Sequence, residues 1–292
     1  MNKPERVRRS DYPGSDQTSS DQTSSDHPSS DHPGTNFHSF NYHGVLAIYL
    51  YELLRFKRTI WQSLVTPVIT TSLYFIVFGA AIGTRMSQVD GVSYGAFIVP
   101  GLMLLAVVTE SLTTSAFSIY MPKFIGTIYE ILSAPLSALE VVLAYVGATA
   151  SKAILLAVVI LATSTLFVPL QIMHPLWTIA FMILTAATFS LFGFIIGILA
   201  RNFEQLSFVP ALVITPMTFL GGAFYSIDIL PPLWRTVSLF NPMVYLINGF
   251  RWSFYGISDV SIGVSLSMTL AFLLFGLAVV TWIFRTGYRL KT

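Results

Sequence analysis

The longest uncharged stretch of this chain runs from Ala153 to Ala200. A membrane-spanning helix needs about 20 apolar residues to cross the hydrocarbon of a bilayer, so this stretch is too long for one crossing and predicts two. The segment 167–175 (FVPLQIMHP) contains two prolines, which favour a turn between the crossings. Only 10% of the chain is charged, against about 25% in a soluble domain. We therefore expect the surface of the fold to contact lipid.

Six helical spans are predicted from the apolar stretches, in an all-α membrane protein. They are expected at residues 59–84, 94–120, 138–167, 176–200, 205–224 and 262–284. Before them, residues 45–58 place apolar side chains at helical spacing and end in three basic residues. This pattern predicts a separate amphipathic helix in the membrane interface. A first span that begins at Val45 is the alternative, but the basic residues favour a boundary between the two helices.

The N-terminal residues 1–43 differ sharply from the rest of the chain. Between Ser15 and Gly34 they contain a tandem five-residue repeat rich in Ser, Asp, His and Pro. Such a composition cannot bury enough apolar surface to offset the entropy of ordering, so a disordered low-complexity tail is predicted. A metal site at His27 and His32 is a weaker interpretation than a solvated tail. The transmembrane domain is expected at residues 44–292.

The distribution of basic residues predicts the orientation in the membrane. With six spans, both termini lie on one side together with twelve Lys and Arg residues, whereas the opposite side holds only Arg85, Arg235 and Arg251. Basic residues accumulate on the cytoplasmic side of membrane proteins. Both termini are therefore predicted to be cytoplasmic.

Segment 225–259, between the last two spans, is apolar but interrupted by prolines and charges. Its longest uncharged run, Thr236 to Phe250, is too short to cross a bilayer. We expect a pair of short helices that enter the outer leaflet and return, covered by protein or lining a cavity. The residues predicted to form this outer gate are Tyr225, Asp228, Pro231, Pro232, Arg235, Asn241 and Arg251.

Two ionisable residues fall at membrane depth, Glu110 in the second span and Lys152 in the third. Charges inside a membrane are costly, so such residues are candidates for a functional role, here a polar translocation path. Two structural interpretations compete with this one. Glu110 could be neutral and hydrogen-bonded to Thr109, Ser111 or another helix. Lys152 could extend toward the cytoplasmic surface.

Three stretches carry a resemblance to a known family. They are YGAFIVPGLMLLAVVTES (94–111), FIGTIYEILSAPLSALEVV (124–142) and FLGGAFYSIDILPPLWRTVSLFNPMVYLINGFR (219–251). With these motifs the chain resembles the type-2 (ABC-2) permeases of ATP-binding-cassette exporters, in the drug and polysaccharide export branch of the bacterial inner membrane. The resemblance covers about residues 45–290 and leaves out the repeat tail.

The resemblance implies a homodimer that pairs with two separate ATPase subunits. It also implies an interfacial elbow helix at 45–58, a cytoplasmic coupling helix at about 121–135, and re-entrant outer helices at 225–250. The chain has no Gly-x-x-x-x-Gly-Lys-Ser/Thr motif of its own, so any ATP is expected on the partner. The candidate residues for coupling to that partner are Lys123, Gly126, Tyr129, Glu130 and Pro135.

The predicted function is that of a permease subunit rather than an enzyme. It would move a hydrophobic or amphiphilic substrate, such as a drug, a lipid or a lipid-linked polysaccharide, across the inner membrane. A proton-coupled secondary transporter with Glu110 as the proton carrier is the alternative, although such proteins usually contain internal repeats. No cofactor, metal or nucleic acid is expected; membrane lipid is the remaining partner.

Overall fold

A computed structural model describes residues 40–81, 88–89 and 91–289 of the chain. The predicted tail lies almost entirely outside the described residues. In the described part, the strands are confined to one small antiparallel hairpin, β1 (Gln88–Val89) and β2 (Val92–Ser93). Gly91 takes a positive φ of 81° in the turn between them, a conformation that favours glycine.

Ten α-helices form the remainder of the fold in the described residues. In chain order they are α1 (Tyr42–Ala81), α2 (Tyr94–Ile125), α3 (Ile128–Ser133), α4 (Ala138–Ser164), α5 (Pro175–Leu199), α6 (Phe203–Val209), α7 (Thr215–Leu220), α8 (Pro232–Leu239), α9 (Pro242–Tyr255) and α10 (Ile262–Thr286). A π-helical turn (Pro210–Ile214) joins α6 to α7, and a 3₁₀ turn (Ile227–Ile229) precedes α8.

Six helical segments in the described part are long and apolar enough to cross a membrane. They are α1, α2, α4, α5, α10 and the joined segment from α6 to α7. The predicted all-α membrane fold is therefore confirmed. The fifth segment covers 203–220 rather than 205–224, since the chain turns at Gly221 and Gly222.

The first helix corrects one boundary predicted from the sequence. The expected break between an interfacial helix and the first span, near Arg58, is absent because α1 continues from Tyr42 through Pro67 to Ala81. Basic residues do not end a helix by themselves, because Lys and Arg are good helix formers. Arg55 pairs with Glu52 at 2.6 Å and donates to the hydroxyl of Ser118 on α2 at 2.7 Å. The position of residues 45–58 in the membrane interface stays a prediction.

The core is built around α2, which packs against α4, α5 and α9. Two glycines let α5 approach α2 closely: a Cβ at Gly193 would collide with the backbone of Leu112, and one at Gly197 with the carbonyl oxygen of Ala116. Small residues at such crossings are typical of membrane helices, where close van der Waals packing drives association. The backbone of α2 is thereby held in the middle of the bundle.

The short helices before the last span also pack onto this core. Pro232 and Pro242 each occupy the first position of their helix, where the missing N–H costs no hydrogen bond. Nearly all of α9 is buried, whereas most of α8 is exposed. Two short helices are therefore present where the re-entrant pair was expected. Their depth in a membrane stays a prediction.

Replacing Gly193 by Ala tests the close packing of α2 and α5. The new methyl group would lie 2.9 Å from the Cα of Leu112, so the helices must separate. We expect a loss of about 1–3 kcal/mol in stability, measured as a lower thermal unfolding midpoint in detergent. Gly263→Ala is the matched control, because a Cβ there meets nothing within 4 Å. Equal midpoints for the two variants would contradict the packing described.

Candidate functional site

A cavity of about 950 Å³ opens between α1, α2 and α4, with α6 at its edge. Its wall combines aromatic rings, hydroxyl groups and four charged side chains. The rings include Tyr51, Phe56, Phe117 and Phe203; the hydroxyl groups belong to Thr59, Ser63, Thr66, Thr113, Thr114, Thr127 and Thr149; the charged residues are Glu52, Arg55, Glu110 and Lys152. Both residues of the predicted translocation path thus line one cavity.

Glu110 and Lys152 form an ion pair across α2 and α4. The Lys152 ammonium lies 2.6 Å from Glu110 Oε1 and donates to the hydroxyl of Thr114 at 3.1 Å. That hydroxyl in turn donates to Glu110 at 2.8 Å. The Lys152 ammonium also lies 4.9 Å from the centre of the Phe56 ring, within the range of a cation–π contact. Each charge is therefore compensated, and the partners of Glu110 are Thr114 and Lys152 rather than Thr109 or Ser111.

A second ion pair lines the same cavity and was not among the predicted site residues. Glu52 Oε2 pairs with Arg55 one turn later and also accepts a hydrogen bond from Ser118 at 2.9 Å. Glu52 is buried, and its other carboxylate oxygen, Oε1, has no hydrogen-bond partner among the described residues. Opposite charges spaced i and i+3 in an otherwise apolar helix are the sequence signal that identifies such a pair.

The outer-gate residues separate into a buried and an exposed group. Arg251, on α9, is only 1% exposed and donates to the carbonyl oxygen of Gly222 at 2.6 Å. It also pairs with Asp259 at 3.4 Å and lies 3.9 Å from the centre of the Phe97 ring on α2. Asp259 accepts hydrogen bonds from the hydroxyl of Ser226 and the backbone N–H of Ile227. Asp259, which was absent from the predicted gate, therefore ties this arginine to the loop before α8.

The remaining gate residues have separate roles. Asp228 and Arg235 form a 2.6 Å pair in which each side chain is about half exposed. Asn241 caps α9 through Met243 and donates to the carbonyl oxygen of Met217. Burial raises the pKa of the Tyr225 phenol, which donates to the carbonyl oxygen of Leu220 at 3.4 Å. Pro231 and Pro232 start α8.

The predicted coupling segment 121–135 contains the end of α2, a turn and the short helix α3. Its first residues continue α2, which corrects the expectation of one separate coupling helix over the whole segment. Gly126 ends α2 with a φ of 92°, so the chain reverses there without strain. Lys123 donates to the carbonyl oxygen of Ile198 at 2.8 Å, which fixes the turn against the C-terminal end of α5.

The other coupling candidates lie on or beside α3. Glu130 is exposed in the first turn of α3, and Tyr129 beside it is 48% exposed. The carbonyl oxygen of Pro135 accepts a hydrogen bond from the side chain of Asn41, at the start of α1. Glu140 caps α4 together with Ser137 and also accepts from the backbone N–H of Asn41. The segment is therefore held at both ends and exposed in its middle.

These features define a helical membrane protein with a polar cavity among its spans, the class to which transporters belong. The ABC-2 type transporter family matches residues 43–255, and the chain belongs to this family, as the sequence motifs predicted. It is 40% identical to the inner membrane transport permease YadH of Escherichia coli (strain K12) over 227 residues, which cover 78% of this chain and 89% of YadH.

More distant relatives carry a different name. The chain is 26% identical over 216 residues to Nodulation protein J of Rhizobium leguminosarum bv. viciae, covering 72% of this chain and 82% of that protein. Nodulation protein J of Rhizobium meliloti (strain 1021) is 26% identical over 219 residues, covering 75% of this chain and 84% of the relative. The six apolar segments and the similarity to transport permeases together indicate that the chain is a multi-pass inner-membrane transport permease rather than an enzyme.

Replacing Arg251 by Met tests the buried part of the outer gate. Asp259 would then remain buried without its charged partner, so we expect a loss of about 3–5 kcal/mol in stability. The matched control is Arg235→Met, which breaks an exposed pair and should cost no more than about 1 kcal/mol. Thermal unfolding of both purified variants measures the difference. A midpoint for Arg251→Met equal to that of Arg235→Met would rule out the buried pair as a stabilising contact.

Proposed function

We propose that this chain is the membrane subunit of an ATP-driven exporter for a hydrophobic or amphiphilic substrate. The observation that carries the proposal is the cavity between α1, α2 and α4, where Glu110 and Lys152 pair near the middle of two apolar helices. Ionisable groups in such a position mark substrate pathways in membrane proteins. The mixed wall of aromatic rings and hydroxyl groups suits a molecule with an apolar body and a polar group.

The energy source would be a separate ABC ATPase, since the chain lacks the nucleotide-binding motif and the family implies such a partner. In the proposed assembly, two copies of this chain pair with two ATPase subunits, and both termini face the cytoplasm. The turn between α2 and α3 would dock on the ATPase. It presents Phe124 and Ile125, which are 63% and 65% exposed, beside Tyr129 and the carboxylate of Glu130. Exposed apolar side chains rimmed by a charge are typical of protein interfaces.

Ile125 and Thr127 already form part of the cavity wall, and a chain of aromatic contacts extends this connection from the turn. Phe124 meets the ring of Phe203 edge to face, with the ring centres 4.9 Å apart. Phe203 also contacts Phe117, and both of these rings line the cavity. Closure of the ATPase against the turn would therefore displace the cavity wall directly, through packed side chains.

Reversing the charge of Glu130 tests the docking surface. We expect Glu130→Arg to lower substrate-stimulated ATPase activity by at least about tenfold when the two subunits are co-reconstituted. The introduced arginine would repel a basic group of the ATPase that pairs with Glu130 in the proposed interface. Glu204→Arg is the matched control. Glu204 is likewise exposed in the first turn of a helix, α6, but lies outside the turn and α3. Full coupling by Glu130→Arg, or equal losses in both variants, would count against docking at this segment.

A second experiment separates ATP-driven transport from the proton-coupled alternative. Proteoliposomes containing the chain and its ATPase should transport substrate when ATP is added, and continue when a protonophore collapses the proton gradient. In Glu110→Gln the neutral side chain leaves Lys152 without its ion-pair partner. We expect slower ATP-driven transport by this variant, by about tenfold or more. Transport by the chain alone, driven by a proton gradient and abolished in Glu110→Gln, would favour the alternative.

A further inference from the structure

We propose that the head group recognised by the cavity is zwitterionic, with its anionic part on Lys152 and Arg55 and its cationic part on Glu110 and Glu52. This inference rests on the proposed role of the cavity as the substrate path and specifies the class of substrate. The ligand would be an amphiphile whose apolar chain contacts the aromatic part of the wall.

The charge balance of the cavity is the first argument. Its described lining contains two carboxylates and two cationic groups, so the wall is neutral as a whole. All four are already matched, in the pairs Glu110–Lys152 and Glu52–Arg55, each at 2.6 Å. A cavity that selects a singly charged ligand is expected to carry an excess of the opposite charge. This cavity has no such excess among its described residues.

The cost of opening an ion pair is the second argument. An anionic ligand that binds Lys152 must displace Glu110 and leave its carboxylate unpaired in a region of low dielectric constant, which is strongly unfavourable. A cationic ligand that binds Glu110 leaves Lys152 unpaired in the same way. A zwitterion inserted between the two side chains replaces one ion pair by two. Among charged ligands, only one that carries both charges therefore enters without leaving a residue unpaired.

The surroundings of the pairs provide further contacts for such a ligand. The side chain of Arg55 is 36% exposed, and buried Glu52 has one carboxylate oxygen without a hydrogen-bond partner among the described residues. A small rotation of Glu52 would offer this oxygen to an ammonium group. The hydroxyl of Thr114 already bridges Glu110 and Lys152. The rings of Phe117 and Phe203 lie along the same wall and suit an acyl chain.

Binding of single-chain amphiphiles with equal chain length tests this inference. The full chain, in an uncharged detergent, is titrated with lysophosphatidylethanolamine and an alkyl sulfobetaine (both zwitterionic), lysophosphatidylglycerol (anionic) and an alkyl trimethylammonium (cationic). Bound ligand is counted by native mass spectrometry. We expect the zwitterions to bind at least about tenfold more tightly than either singly charged amphiphile. Binding of both zwitterions indicates recognition of the charge pattern alone, and binding of the lysophospholipid only indicates a lipid head group.

Two substitutions should change the charge preference in opposite directions. Glu110→Gln leaves the cavity with an excess positive charge and should favour the anionic amphiphile. Lys152→Met leaves an excess negative charge and should favour the cationic one. The double variant Glu110→Gln/Lys152→Met restores neutrality and leaves only the Glu52–Arg55 pair, so it should discriminate less among the three classes than the wild-type protein does, and it keeps the test informative if a single variant fails to fold. Controls are Glu204→Gln and Arg285→Met, which alter exposed charges outside the cavity.

Two outcomes would overturn the inference: wild-type protein that binds a singly charged amphiphile as tightly as a zwitterion, or single variants that both shift in the same direction. The proposed function has a separate readout. ATP-dependent transport of any amphiphile by the co-reconstituted subunits supports it, whatever the head-group preference. Tight zwitterion binding without ATP-dependent transport would overturn the function and leave the head-group assignment in place.

Discussion

Charge pairing in a medium without water is the constraint on which this structure depends. A lone charge in hydrocarbon is far costlier than one in solution, so an ionisable side chain inside the helix bundle needs a partner from the protein. Glu110 finds Lys152, Glu52 finds Arg55, and Arg251 finds Asp259. Two of these pairs line the cavity. The third, Arg251–Asp259, holds the loop before α8 against α9. The same requirement that stabilises the bundle thus places its polar groups where a substrate would pass.

The positions of the spans were predictable because they depend almost entirely on the length and apolar character of each sequence segment. The ends of α2, α4, α5 and α10 lie within a few residues of the expected positions, except that α2 extends to Ile125. The boundary expected near Arg58 was wrong for a specific reason. Basic residues can mark the edge of a membrane without ending a helix, because Lys and Arg are good helix formers. Within the continuous helix, Arg55 pairs with Glu52 and donates a hydrogen bond to Ser118. The contact between Arg55 and Ser118 joins residues 63 positions apart in the chain. The periodicity of apolar residues in a single sequence carries no information about contacts over such a separation.

The candidate site was predictable in its residues but not in its pairs. Glu110 and Lys152 stand out in the sequence because few charges interrupt the spans, yet nothing in their spacing shows that they meet. Their contact depends on the packing of α2 against α4. Asp259 was missed because it follows the re-entrant helices in the chain and returns to the gate only through the turn after α9. The prolines of the gate, Pro231 and Pro232, were in contrast recognisable but serve mainly to start α8.

One helix, α2, contacts all three parts of the proposed transport apparatus. Near its start, Tyr94 donates to the carbonyl oxygen of Phe224, and Phe97 lies against Arg251 of the gate. In its middle, Glu110 forms the ion pair of the cavity. At its end, Lys123 fixes the turn that would dock on the ATPase. Pro100 and Pro122 lie within α2, but close packing against α5 at Leu112 and Ala116 holds the stretch between the two prolines. In the proposed assembly, a displacement of α2 at the turn would be shared by the cavity and the gate, and would thus link the ATPase to an opening at the other end of α2.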